Sequence, residues 1–263
     1  MGSVANGMAA HGGILPYTAT FFTFYDYMKP SVRLAAISDL KVVFVFTHDS
    51  IAVGEDGPTH EPIEQLASAR ATPRLSVIRP ADPTETLEAW ELAVQHNGPT
   101  LLVLSRQSVP HLDRSNAKEP GVAKGAYILA DSTGDPDVIL IGTGSEVSLC
   151  MQAKTALEKD QQCAVRVVSM PSWNLFKAQP ESYRDYVLPP QVKSRVTVEA
   201  GASLGWREWA GDEGEIIAID RFGASAPGSE VLAHFGFTAE HVASAAVRAM
   251  ERTRKATPEV QAK

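Results

Sequence analysis

The chain has 263 residues, 44% of them apolar and 21% charged, which excludes a wholly disordered polypeptide and leaves room for two domains with separate cores. Its 24 Lys and Arg against 31 Asp and Glu give a formal charge of −7, which excludes a broad basic surface for nucleic-acid backbones. No apolar run approaches the roughly 20 residues that cross a bilayer, no signal peptide is visible, and Cys150 and Cys163 lack CxxC spacing; the expected setting is cytoplasmic, or an organelle if a transit segment is missing.

In chain order, Met1, Val4, Ala5 and Met8 keep helical spacing up to a stop at Gly12-Gly13, with no capping residue ahead of them. The first block therefore reads as beginning inside an element. Residues 16–27 are unusually aromatic, and Phe21, Phe24 and Tyr27 fall on one face of a helical turn. Such a stripe is either core or a stacking platform for a flat heterocycle. Continuously apolar runs at 42–46, 100–104, 138–141, 165–168 and 216–219 predict buried parallel strands, and helical patterns at 83–95, 145–158 and 239–250 lie among them. Strands alternating with helices give an α/β architecture. A polar stretch holding Pro120 and Gly121 separates two such blocks. The expectation is two three-layer α/β domains with mainly parallel sheets: a first domain at 1–112, incomplete at its amino end, a linker at 113–124 and a second domain at 125–263.

The densest reactive segment is 47–62, directly after the 42–46 strand, where open α/β sheets form ligand crevices. Gly54, Gly57 and Pro58 make it a shaped loop. The 100–104 strand ends in Ser105-Arg106-Gln107, so Arg106 is expected on the same edge as His48. A guanidinium fork and an imidazole suit a phosphate group, although an Arg in this position also serves as a structural ion-pair partner. His48, Asp49, Glu55, Asp56 and His60 could be read as metal ligands, but the histidine spacing matches no helical zinc motif, and no metal site is assigned to this chain. In the second block, Gly142-Thr143-Gly144-Ser145-Glu146-Val147 follows a strand and opens a helix. Val147 stands where a dinucleotide fingerprint needs its third glycine, so Ser145 is expected to act as a helix cap. Trp173, Trp206 and Trp209 read as core or interface aromatics, and Glu199 has no assigned role.

These residues together resemble the transketolase family. The likeness runs through His11-Gly12-Gly13, Pro16-Tyr17-Thr18-Ala19-Thr20-Phe21, Thr47-His48-Asp49-Ser50, Gly54-Glu55-Asp56-Gly57-Pro58-Thr59-His60-Glu61-Pro62 and Leu104-Ser105-Arg106-Gln107. It continues through the Gly142 motif, Val198-Glu199-Ala200-Gly201 and Phe222-Gly223-Ala224-Ser225-Ala226-Pro227. The resemblance implies an enzyme of the pentose phosphate pathway that uses thiamine diphosphate to move a two-carbon ketol unit between sugar phosphates. It implies that Phe21, Phe24 and Tyr27 wrap the aminopyrimidine ring, that His48 and Arg106 bind substrate phosphate, that Asp56 contacts a substrate hydroxyl, and that His60 is catalytic, near the reacting carbons.

The family's activating Glu would fall before Met1, and a divalent cation, Mg or Ca, is expected on an amino-terminal domain that this chain lacks. The expected partners are therefore sugar phosphates and an amino-terminal cofactor-binding domain or subunit, in a homo-oligomer or a split-subunit assembly, with no nucleic acid and no membrane. The chain alone is expected to be inactive. The alternatives are a non-catalytic dimerisation or regulatory module and a dihydroxyacetone synthase-type ketol transferase.

Overall fold

A computed structural model describes residues 1–115, 117 and 121–256. Pro120, expected in the linker, and residues 257–263 of the expected second domain lie outside the described residues.

The first sheet is parallel throughout, in the order β1 (Tyr17–Phe21), β2 (Val43–Thr47), β4 (Thr100–Val103), β3 (Ser76–Ile78). β2 and β4 are the apolar runs read from the sequence, shifted by about one residue; they lie at the centre and bury both faces. Alternate side chains serve opposite layers, as strand geometry requires. Phe44, Phe46, Leu101 and Val103 meet α2 (Tyr25–Ile37) and α3 (Gln65–Arg70), while Val43, Val45 and Leu102 meet α4 (Pro83–Gln95). α4 begins where the sequence places it, because Asp82 accepts a hydrogen bond from Glu85 N at 2.8 Å and Pro83 occupies the first turn. A further helix, α1 (Gly2–His11), packs beside α2 and ends at Gly12.

The second sheet runs β5 (Tyr127–Ala130), β7 (Val165–Ser169), β6 (Val138–Gly142), β8 (Arg195–Val198), β9 (Glu215–Ile217), with only β5 antiparallel. Leu140, Val167 and Val196 face α5 (Val147–Asp160) and α10 (Ala239–Ala256). Ile139, Ile141 and Val168 face α6 (Trp173–Lys177) and the buried Trp206 and Trp209, which open and lie within α8 (Arg207–Ala210). Two helices, α7 (Glu181–Val187) and α9 (Gly228–His234), complete this half. Both halves are thus α/β units with mainly parallel sheets, as expected. Among the described residues no helix is long and apolar enough to cross a membrane.

The seam between the halves is built rather than incidental. Ile51, Ile63 and Ala81 from the first half join the second half's core. Arg79 N donates to Pro171 O at 2.9 Å and Ala202 N to Ile63 O at 2.9 Å. After the first sheet, Leu112 N and Arg114 both donate to Asp82, which pins the connecting segment onto the start of α4.

Candidate active site

The site lies at the carboxyl ends of β1, β2 and β4. β2 and β4 are adjacent and parallel, with Phe46 paired to Val103, and Leu104 N donating to Phe46 O at 2.7 Å continues the ladder to the edge. His48 and Arg106 therefore leave the sheet side by side. His48 adopts φ 61°, a left-handed backbone that a non-glycine residue takes only when its surroundings enforce it. Thr47 Oγ1 lies 2.9 Å from His48 Nδ1, and the imidazole stacks on the Phe21 ring with centroids 3.5 Å apart. Partial burial holds the His48 pKa below the ordinary histidine value, and the Arg106 guanidinium pushes it the same way; Asp56 and Asp49 oppose this. His48 thus feels the charges of both Arg106 and Asp56, whose side chains are exposed.

The aromatic residues divide between two environments. Phe22 and Tyr25 go into the core against Phe46. Phe24 and Tyr27 face outward, 37% and 84% exposed, which removes the reading of this stripe as core. Phe21 closes β1 rather than starting a helix, so the single helical face expected from the spacing is not formed. A row of rings arises all the same: Phe21 stacks on Phe24 at 6.2 Å and Phe24 tilts against Tyr27 at 6.1 Å. Phe24 and Tyr27 line a cleft of about 310 Å³ with Thr20, Met28, Ser31 and the first residues of α1.

His60 packs against Phe24, which lines this cleft, and against Phe21, on which His48 stacks. Its ring is edge-on to Phe24 at 5.8 Å and to Phe21 at 6.5 Å, and Thr59 Oγ1 lies 2.9 Å from its Nδ1. The structure therefore gathers Phe21, Phe24, Tyr27, His48, Asp56, His60 and Arg106 along one edge. The same loop offers no metal cluster: among the described residues no three His, Cys, Asp or Glu side chains are grouped to hold an ion.

The loop's shape depends on the second half of the molecule. Gly54 has φ 81°, and a β-carbon there would stand 2.8 Å from Gly228 N and 2.9 Å from Ala226 O. Only glycine allows this approach. Ser225 Oγ donates to Glu55 O at 2.7 Å from the same side. Glu61, near the end of the loop, is buried; burial raises its pKa to about 7, opposed by the backbone amides of Ala224 and Gly54.

Sequence reasoning missed several residues around this site. Asp49 is buried and accepts from Arg79 Nε at 2.8 Å, and Arg79 Nη1 reaches Glu146 at 2.5 Å. Glu199 receives both terminal nitrogens of Arg70, at 2.8 and 2.7 Å, and Trp206 Nε1 at 2.8 Å. Arg70 also lies 3.9 Å above the Trp173 ring. The available signal was charge inside apolar surroundings: Arg79 directly after the apolar β3, Glu199 directly after β8. Ser145 is not the helix cap expected. Its hydroxyl donates to Glu146 Oε1, and α5 begins with no side-chain cap.

Comparison with known proteins gives a match for each half of the chain. Residues 1–111 match the family described as "Transketolase, pyrimidine binding domain" and residues 125–238 the "Transketolase-like TK C-terminal domain". A transketolase of Halalkalibacterium halodurans is 55% identical over 253 residues, covering 95% of this chain and 38% of that protein. Transketolase from Leishmania mexicana superposes with a TM-score of 0.88 at 44% identity, over 95% of this chain and 36% of that one. A Pichia stipitis transketolase solved in complex with sedoheptulose-7-phosphate gives 0.89 at 40% identity, over 97% and 37%. The chain thus spans between a third and two fifths of the length of the proteins it matches. With both halves matched and this degree of identity, the chain belongs to the transketolase family and corresponds to its carboxyl-terminal part.

Proposed function

We propose that this chain supplies the aminopyrimidine and substrate-phosphate side of a transketolase active site, moving a two-carbon ketol unit from a ketose phosphate to an aldose phosphate. The observation that carries the reading is the shared edge itself. A cationic and imidazole pair suited to an anion, an exposed row of rings and a half-buried histidine packed against that row share one edge, as a phosphorylated sugar extending from a flat heterocycle would need.

The cleft fits the cofactor's ring, since Phe24 and Tyr27 expose apolar faces beside Thr20 and Met28 and carry no charge that a neutral heterocycle would strand. When bound, thiamine diphosphate supplies the nucleophilic carbon and electron sink for the transfer. In this reading Phe21, Phe24 and Tyr27 hold the aminopyrimidine ring. His48 and Arg106 hold the substrate phosphate far from the reacting carbons, so that binding energy is used for orientation. Asp56 accepts a hydrogen bond from a substrate hydroxyl. His60 holds or moves a proton at its ring nitrogen, a role suited to imidazole near neutral pH.

An amino-terminal domain or subunit supplies the diphosphate site and its divalent cation, Mg or Ca, in a cytoplasmic homodimer or split-subunit assembly. The division into 1–112, 113–124 and 125–263 belongs to the same proposal, with the two sheets on either side of the connecting segment. The test is a ketol-transfer assay of the chain assembled with an amino-terminal transketolase partner, using xylulose 5-phosphate and ribose 5-phosphate. Cofactor-dependent turnover supports the reading. Persistent inactivity with an intact partner would sink it, and faster transfer to formaldehyde than to ribose 5-phosphate would point to dihydroxyacetone synthase chemistry.

A further inference from the structure

The Gly142–Val147 turn, left over as an incomplete nucleotide fingerprint, touches both arms of the anion-binding pair. On one side Arg79 Nη1 donates to Glu146 Oε2 at 2.5 Å and to Thr143 O at 3.0 Å, while its Nε donates to Asp49 Oδ2 at 2.8 Å, next to the strained His48. On the other side Ser145 Oγ donates to Glu146 Oε1 at 2.7 Å and accepts from Gln107 Nε2 at 3.1 Å, next to Arg106. Ala200 N also donates to Glu146 Oε2, at 3.1 Å, which ties the carboxylate to the end of β8. The turn is shaped for this task. Gly144 has φ 59°, and a β-carbon there would stand 2.5 Å from Arg79 Cζ. The glycine admits a guanidinium, where a dinucleotide fingerprint would admit a pyrophosphate.

We propose that Glu146, although it lies in the second domain, is a positioning residue for the anion-binding pair of the first: through Arg79 and Asp49 it sets His48, and through Ser145 and Gln107 it sets Arg106. The inference rests on the functional reading above for the role of the pair, and on the hydrogen bonds alone for the coupling. A carboxylate can serve both arms because each oxygen accepts. A glutamine in its place accepts on one side only and must present an amide donor to the other. On the Arg79 arm, where Glu146 and Arg79 are each 1% exposed, solvent does not replace a lost partner; on the other arm Ser145 and Gln107 are half-buried.

The test follows the His48 ring by NMR in the wild-type chain, in Glu146→Gln and in Ser145→Ala, first without ligand and then with inorganic phosphate and ribose 5-phosphate. Without ligand, releasing Arg106 moves the His48 pKa up toward the ordinary histidine value in both variants. With ligand, affinity falls about tenfold in Glu146→Gln and about threefold in Ser145→Ala, as expected for lost orientation. A purely structural role would lower thermal stability and leave both readouts in place. An unchanged His48 titration in Ser145→Ala, a variant that spares the Arg79 arm, overturns the proposal even where Glu146→Gln fails to fold. Arg106→Ala serves as the separate control. Should it leave phosphate binding unchanged, the functional reading fails, while the ligand-free titration still decides the coupling.

Discussion

The two sheets end in edges of the same kind, each with a central parallel strand running into a glycine-containing turn, yet the edges have opposite fates. The first opens on His48, Arg106, Asp56 and exposed rings; the second is filled by Arg79 from its neighbour and presents nothing to solvent at Glu146. Carboxyl edges of parallel sheets are the standard ligand sites of open α/β folds. The contrast teaches that one such edge can be turned into the foundation of another. Substitutions at the closed edge should therefore act on stability first and on binding only through the pair they position, and those at the open edge on binding with little change in stability.

The largest effect is expected for Arg79→Met, which strands the carboxylates of Asp49 and Glu146 in the interior. Removing one partner from a buried ionic network costs about 3–5 kcal/mol. Denaturant unfolding checks this, and adding Asp49→Asn with Glu146→Gln should recover a large part of the loss. A loss within about 0.5 kcal/mol, the range of ordinary surface substitutions, would erase the distinction between the edges.

Gly144→Ala comes next, at about 2–3 kcal/mol, because the added methyl meets the Arg79 guanidinium and the backbone is left-handed. Its thermal midpoint should fall by several degrees, with Arg79→Met masking further loss in the double variant.

Glu61 gives a smaller effect with a defined pH sign. Its folded pKa of about 7 lies above the unfolded value, so the folded state keeps a proton that the unfolded state has already lost. Its contribution is present below the unfolded carboxylate pKa and is lost as pH rises toward 7. Between pH 5 and pH 8 this amounts to about 2 kcal/mol. Glu61→Gln should flatten that slope in thermal melts across the range, and an unaltered slope would assign the pH dependence elsewhere.

The smallest change in stability belongs to the open edge. Tyr27→Ala should shift the unfolding free energy by no more than about 0.5 kcal/mol, since the side chain is 84% exposed. In the complete enzyme the same variant should weaken thiamine diphosphate binding about tenfold, as loss of one aromatic face from the ring row implies. Strong destabilisation by Tyr27→Ala would show that the open edge is structural after all.

Much of this organisation was legible in the sequence, and its limits have physical causes. The central strands β2, β4, β6 and β7 could be read because burial on both faces writes itself as an unbroken apolar run. α4 was legible because Asp82 and Pro83 start a helix by local chemistry alone. β1 was lost because Tyr17 and Ala19 are exposed on an edge, while the aromatic density of the same segment suggested helical spacing. The open edge was legible because its residues lie in one loop and at one strand end. The closed edge was not, since Asp49, Arg79 and Glu146 are separated by 30 and 67 residues and meet only after both domains fold. Ser145 misled for a related reason: a serine before a helix reads as a cap until a buried carboxylate claims its hydroxyl.

The stacking of Arg70 on Trp173 has a practical consequence. Trp173 and Trp206 meet edge to face at 4.9 Å, and Trp209 adds a third indole at 6.0 Å, all in the second domain, while the cation covering them comes from the first. Parting of the domains would uncover an indole that the folded chain keeps dry, so intrinsic fluorescence and near-ultraviolet circular dichroism become gauges of docking, readable without any label. The molecule thereby offers an optical record of whether its foundation is seated, independent of whether its chemistry is running.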